Sequence, residues 1–302
     1  MSLNLEDKVV IAVSSRALFD LDDSHAIYQQ KGLKEFIEYQ VTHENEALKP
    51  GVAFPLIKRL VNIRMPGSKE SCFEVILVSQ NNPNTGLRVF NSIEAYELDI
   101  TRAAFTGGRV PYRYLKAFKS SLFLSAESEH VRVALQNGHA AATILKGVDY
   151  KDDDTNELRI AFDGDAVLFN DESERIYQEK GIEEFIRNEI ANCDNPLGPG
   201  PFKNFLESIH KIQQAFMNEE HKPIRTALVT ARNAPSHKRA IKTLRSWGID
   251  VDEAFFLGGL DKTPVLDIFK PHIFFDDSRS YCEPASSIVP TGHVDSGVKN
   301  IP

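Results

Sequence analysis

The sequence predicts an α/β protein built from two tandem, related units, each around a parallel sheet, with the first unit degenerate. Three observations carry this expectation. Short β-branched runs alternate with helical patterns, long strings recur between the two halves, and reactive side chains gather at strand ends in the second half alone. The length agrees: 302 residues exceed the roughly 250–300 at which a single core usually stops growing.

The repeat is the strongest of the three. Ile27-Tyr-Gln-Gln-Lys-Gly-Leu-Lys-Glu-Phe36 returns as Ile176-Tyr-Gln-Glu-Lys-Gly-Ile-Glu-Glu-Phe185. Further on, Leu77-Val-Ser79 matches Leu228-Val-Thr230, Phe105-Thr-Gly-Gly108 matches Phe256-Leu-Gly-Gly259, and segment 115–118 matches 266–269 without a gap. A repeat of this length is a domain rather than a solenoid turn, so an ancient duplication is expected, with units 1–150 and 151–302. The join is placed at the charged run Lys151-Asp-Asp-Asp-Thr-Asn-Glu157, read as a solvated linker between the apolar segment 140–145 and a fresh strand.

The elements follow in order. Strands are expected at 8–13, 73–78, 158–162, 225–229 and 272–275, where β-branched and aromatic residues cluster. Phe202, Phe205, Leu206, Ile209, Ile212 and Phe216 recur at spacings of three and four behind Pro196-Leu-Gly-Pro-Gly-Pro201, which predicts an amphipathic helix. That helix belongs to a helical insertion over about 170–222, between the first two strands of the second unit. Trp247, aligned with Tyr96, is expected to pack in a core, and His272 is expected to be structural.

Composition narrows the function. With 42% hydrophobic and 26% charged residues the chain reads as an ordinary folded protein, and its net charge of −8 excludes a general nucleic-acid binder. Cys72, Cys193 and Cys282 are few, separated and odd in number, so neither a disulfide framework nor a thiolate zinc site is expected, and a reducing cytoplasm fits best. No run of 18 uncharged apolar residues occurs, and residues 1–10 lack the pattern of a signal peptide, so no membrane association is expected.

In open α/β sheets ligands bind beyond the carboxyl ends of the strands. In the second half those ends carry Asp163-Gly164-Asp165, then Thr230 with Ala231, Arg232 and Asn233 leading into a helix, then Lys262, then Asp276-Asp277. Residues i and i+2 of an extended segment point the same way, so both carboxylates of the first triplet are expected to face one site. Gly164 permits close approach of a ligand, and the amides after Thr230 are expected to hold phosphate at the helix start. An isolated Asp-x-Asp is usually a turn or a cap; the three further groups in order remove that reading.

This order of strand-end residues resembles the four motifs of the haloacid dehalogenase phosphatase superfamily, with its Rossmann-like fold. More specifically, Val10-Ile-Ala-Val-Ser-Ser-Arg-Ala-Leu-Phe-Asp20, Thr85-Gly-Leu-Arg-Val-Phe-Asn-Ser92, Ala104-Phe-Thr-Gly-Gly108, Phe162-Asp-Gly-Asp-Ala-Val-Leu-Phe169 and Leu244-Arg-Ser-Trp-Gly-Ile249 resemble the cytosolic 5'-nucleotidase type I family. The resemblance implies hydrolysis of nucleoside 5'-monophosphates. It implies Asp163 as nucleophile, Asp165 as acid and base, and Thr230 as a phosphate donor. Mg2+ would be held by Asp163, the backbone carbonyl of Asp165 and Asp276, with Asp277 as further ligand or support. Lys262 is favoured for the balancing positive charge by its spacing, with Lys238 and Lys242 as alternatives. Arg232 is either a phosphate ligand or a surface residue. A phosphatase for phosphosugars and a nucleotide-binding regulator without turnover are the competing readings, and a homo-oligomer is left open.

The repeat supplies its own control. Asp163 corresponds to Ser14, Asp165 to Arg16, Thr230 to Ser79, Lys262 to Pro111 and Asp276 to Ser125, so the first unit lacks every carboxylate of the site. Its duties are expected to be structural, or to bind substrate or effector. The amide-rich loop 80–91, with Asn81, Arg88 and Asn91, is expected to hold a base or ribose, or else to be a solvated turn; Arg16 is expected to bind phosphate or to form a salt bridge.

Overall fold

The computed structural model describes residues 8–147, 155 and 157–300. The first seven residues and most of the charged run 151–157, including the expected join, lie outside the described residues.

The first half runs β1 (Val9–Val13), α1 (Ser15–Leu18), β2 (Phe19–Asp20), α2 (Asp22–Lys31), α3 (Leu33–Thr42), β3 (Lys49–Pro50), α4 (Phe54–Asn62), β4 (Phe73–Ser79), α5 (Pro83–Ala95), β5 (Arg102–Phe105), β6 (Leu122–Ser125), α6 (Ser128–Gln136) and β7 (Ala141–Ile144). The second continues with β8 (Leu158–Phe162), α7 (Glu172–Ala191), α8 (Lys203–Ala215), β9 (Ile224–Thr230), α9 (His237–Ser246), β10 (Glu253–Phe256), α10 (Thr263–Phe269), β11 (Ile273–Asp276), α11 (Arg279–Ser286) and β12 (Thr291–His293). All five expected strands are present within a residue or two of their expected ends, and the expected amphipathic helix is α8.

The structure departs from the expectation of two separate sheets. A single ten-stranded sheet runs in the order β10-β9-β8-β11-β12-β7-β6-β1-β4-β5. Within each half of this sheet every pairing is parallel, and β2 and β3 form a separate antiparallel pair. The halves meet at one antiparallel pair, β7 against β12, in the register Ile144 with Gly292 and Thr143 with His293. A Cβ on Gly292 would lie 2.8 Å from the Phe275 ring and 3.0 Å from Cβ of Ala142, so the seam is tight there. Antiparallel pairing turns the two halves end for end. The carboxyl ends of β1, β4 and β6 therefore face the opposite rim of the sheet from those of β8, β9 and β11.

The strands are near-continuous apolar runs because both faces of the sheet are covered. Val9, Ile11 and Val13 of β1 and Ile160 and Phe162 of β8 face one apolar layer shared by α4, α5, α8 and α9. On the other face Val10, Ala12 and Phe123 pack with α6, and Ala161, Val229 and Phe274 pack with α10 and α11, as two separate clusters. Tyr96 and Trp247 both pack against the shared layer, as expected.

The backbone repeats where the sequence does. Gly32, between α2 and α3, has φ 94°, and Gly181 bends α7 with φ 81°. Both lie in the left-handed region that glycine adopts without steric cost. Phe19 pairs with Pro50 between β2 and β3, and Phe169 pairs with Pro199 as an isolated bridge.

Candidate active site

Strand β8 delivers Asp163 to the rim, and the amide of Asp163 donates to the Phe275 carbonyl at 2.8 Å, which fixes it beside β11. The chain then turns through Gly164–Leu168, closed by the Phe169 amide donating to the Gly164 carbonyl at 2.9 Å, with Asp165 extended and Ala166 at φ 61°. The turn is clamped by Gly200, whose missing Cβ would sit 2.3 Å from the Phe169 carbonyl oxygen and 2.4 Å from that of Val167. A Cβ on Gly164 would meet Thr230 Oγ1 at 3.2 Å, so the glycine brings the end of β9 against this turn.

Lys262 precedes α10 and is 1% exposed. Its Nζ donates to Asp163 Oδ1 at 2.5 Å and to Asp276 Oδ2 at 2.6 Å, and it lies 4.6 Å from the centre of the Tyr281 ring. Burial alone would lower its pKa; the carboxylates of Asp163 and Asp276 outweigh that and hold it above the ordinary lysine value. Lys242 instead pairs with Asp194 at the surface. Among the three candidate lysines the geometry places Lys262 on the carboxylates.

Asp163, Asp276 and Asp277 are all buried, and one carboxylate oxygen from each lies within 4.8 Å of the others. Burial, then the neighbouring Asp276 and Asp165, push Asp163 up to about 7 against the pull of Lys262. Burial, then Asp163 and Asp276, push Asp277 up to about 9. When all three are ionised, their charge exceeds that of Lys262, and the raised values of Asp163 and Asp277 express that excess. An all-oxygen set of this kind suits a hard divalent cation. Asp276 is further fixed by the Ser278 amide at 2.8 Å, and the Asp277 carbonyl accepts from His293 and Asn300 at 2.9 and 2.8 Å.

Asp165 does not share this cluster. Both of its carboxylate oxygens accept from Arg232, at 2.8 and 2.7 Å, so the expectation that Asp163 and Asp165 turn their side chains to one ligand is corrected. A turn rather than a continuing strand follows Asp163, and the i, i+2 rule fails with it.

Arg232 is likewise corrected: it is neither a surface arginine nor a free phosphate donor, being buried between Asp165 and Glu189. Glu189 is fully buried and also accepts from Arg239 at 2.9 Å and from Ser173 at 2.8 Å. Sequence reasoning missed Glu189 and Arg239. Their first-half counterparts Gln40 and Arg88 form the same link, with the Arg88 guanidinium donating to Gln40 Oε1 at 3.1 Å, but only the structure reveals either pairing.

Thr230 ends β9, buried, with its Oγ1 accepting from the Arg232 amide at 3.2 Å. Ala231 and Asn233 are exposed in a loop, and α9 starts only at His237. Pro235 disfavours helical backbone at the residue before it, so these amides belong to a loop and not to a helix start.

The structure does not bring the first-half residues to Asp163, because the antiparallel seam sends them to the other rim. Arg88 also donates to the Glu46 carbonyl at 3.1 Å and Asn91 to the Glu44 carbonyl at 2.8 Å, so both fasten α5 to the segment after α3. Asn81 lines a cavity of the first half. Arg16 forms ion pairs with Glu127 and with Asp22, the latter at 3.8 Å. His272 is buried within the sheet, its Nδ1 accepting from the Arg159 amide at 2.9 Å, a structural role as expected. The three cysteines are free. Among the described residues no helix is long and apolar enough to cross a membrane.

The chain as a whole has counterparts among known sequences. The family model described as 5'-nucleotidase matches residues 1–301. The chain belongs to the 5'-nucleotidase family. It is 42% identical over 292 residues to "Cytosolic 5'-nucleotidase 1B" of Homo sapiens, a match that covers 94% of this chain and 48% of that protein. The chain thus spans about half the length of the curated relative it matches. No solved structure matches it.

Proposed function

We propose that this chain is a magnesium-dependent 5'-nucleotidase, which hydrolyses nucleoside 5'-monophosphates to nucleoside and inorganic phosphate through an aspartyl-phosphate on Asp163. The observation that carries the reading is Lys262 joining Asp163 to Asp276 beside Asp277, in a chain of the 5'-nucleotidase family. The compartment proposed is the cytosol, from the name of the human relative. The matching strand order and bends of the halves support an origin by duplication, with units 1–150 and 151–302.

In this mechanism a carboxylate oxygen of Asp163 attacks phosphorus and the bond to the 5'-oxygen breaks. Asp165 turns from Arg232 to give the departing oxygen a proton, then takes one from the water that opens the acyl phosphate. Lys262 neutralises Asp163 before attack and the phosphoryl oxygens afterwards, and the Thr230 hydroxyl donates to the same group. Asp163, Asp276, Asp277 and the backbone carbonyl of Asp165 would hold Mg2+, which when bound supplies positive charge to the transferring phosphoryl group.

Phosphate release from AMP, dTMP and sugar phosphates, with magnesium and with EDTA, tests the reading. Nucleotides should be preferred, turnover should require the metal, and Asp163→Asn should abolish it while the protein stays folded. Turnover of sugar phosphates equal to that of nucleotides would overturn the substrate class, and an active Asp163→Asn protein would overturn the nucleophile.

A further inference from the structure

We propose that the first half holds a second pocket, metal-free and without turnover, that binds a nucleoside moiety. A cavity of about 320 Å3 opens at the carboxyl ends of β1, β4, β5 and β6, at the lower end of the range of ligand pockets. It lies at the same strand ends that carry Asp163, Thr230 and Asp276 in the second half, but on the opposite rim of the sheet.

The repeat shows what this pocket kept and what it lost. The longest string shared by the halves is the one that builds its apolar wall, from Tyr28, Leu33 and Phe36. Tyr28 and Phe36 meet edge to face, with centroids 5.9 Å apart at 76°; Tyr177 and Phe185 repeat this at 6.3 Å and 81°. Tyr28 is 48% exposed and Tyr177 47%, Leu33 58% and Ile182 54%, so both walls present uncovered apolar surface. In the second half this wall adjoins the reacting residues, since Phe185 lies under the guanidinium of Arg232 at 5.8 Å. An aromatic and aliphatic wall beside a phosphoryl-transfer site has the chemistry to hold a base.

The opposite wall has changed. Hydroxyls of Ser14, Ser79 and Ser125 stand where the second half has Asp163, Thr230 and Asp276, leaving no carboxylate set for a cation and no nucleophile. The one arginine, Arg16, is balanced by Glu127. Asn81 stands where the second half has Arg232, and its Nδ2 is buried with no partner among the described residues. Neutral hydroxyls and a spare amide donor facing an aromatic wall match the polar edge of a base and a ribose. A free nucleoside and a 5'-monophosphate share that moiety. The choice of nucleoside rests on the 5'-nucleotidase reading.

The test is calorimetric titration of adenosine, and separately of AMP, into the full chain in EDTA. It is run on Tyr177→Ala protein, which truncates the second half's wall at its exposed aromatic ring. One ligand per chain is expected to bind. Adding Tyr28→Ala or, separately, Asn81→Ala should weaken it about tenfold or more, the scale of a lost base–aromatic stack. Tyr28 is half exposed, so its variant is expected to fold. Absence of binding of both ligands, or binding unchanged by both added substitutions, overturns the proposal. Magnesium-dependent phosphate release from AMP is followed on otherwise unaltered protein. Turnover without metal-free binding sinks the pocket alone; binding without turnover sinks the nucleotidase reading alone.

Discussion

Nζ of Lys262 lies 2.5 Å from Oδ1 of Asp163 and 2.6 Å from Oδ2 of Asp276, so one buried cation fastens the end of β8 to the end of β11. Lys262→Met should lower turnover about 100- to 1,000-fold, as loss of a preorganised charge does. It should also cost about 3–5 kcal/mol at neutral pH because it leaves buried carboxylates unpaired. Phosphate release and thermal unfolding measure the two effects. Activity within tenfold of the parent would place the catalytic charge elsewhere.

The carboxylate cluster predicts how metal-free stability depends on pH. Asp163 is raised to about 7 and Asp277 to about 9 from an ordinary 3.8. The folded protein therefore binds more protons than the unfolded chain between those limits, and stability falls as pH rises. In EDTA the melting temperature should be highest at the acid end, above any general acid unfolding, and should decline as pH rises through 7 to 9. Millimolar Mg2+ should flatten that decline, and so should Asp163→Asn. A melting temperature in EDTA that rises across the same range would refute the charge assignment.

Gly200 and Gly51 occupy matching positions, and a pair of alanine substitutions separates structure from catalysis. A Cβ at Gly200 would press on the Phe169 and Val167 carbonyls, and one at Gly51 would lie 2.9 Å from the Ala17 carbonyl oxygen. Each change should cost about 1–3 kcal/mol by overpacking. Gly200→Ala should also impair turnover of the folded enzyme, because it displaces the turn that follows Asp163. Gly51→Ala should leave kcat of the folded fraction intact.

Glu189→Gln copies the Gln40 of the first half into the second. Arg232 and Arg239 would each lose a charged acceptor, a change of about 1.5–3 kcal/mol. Arg232 holds Asp165, so kcat should fall more than KM rises, and Glu189→Asp should recover only part of it. An unaltered kcat would show that the Arg232 contact does not position Asp165.

Much of the site was legible because its determinants are local. Asp163, Thr230 and Asp276 follow apolar runs that must be strands, and a parallel sheet puts their ends on one rim. Lys262 was placed by spacing, and its two carboxylate contacts agree. The absence of the site's carboxylates from the first half needed only a comparison of Ser14, Arg16 and Ser125 with their counterparts.

What the sequence determined by itself was the strand content, the repeat and the strand-end chemistry, since each depends on neighbours within a few residues. Tertiary structure alone decided three things. The short pairing of β7 with β12 merged two expected sheets into one and sent Asn81, Arg88 and Asn91 away from Asp163. The turn at Gly164–Leu168 parted Asp165 from Asp163 and gave it to Arg232. Burial of Glu189 against Arg232 and Arg239 joined α7 to the segments after β9. Strand pairing, turn closure and buried ion pairs are set by contacts between distant segments, and no local pattern in the chain encodes which partners will meet.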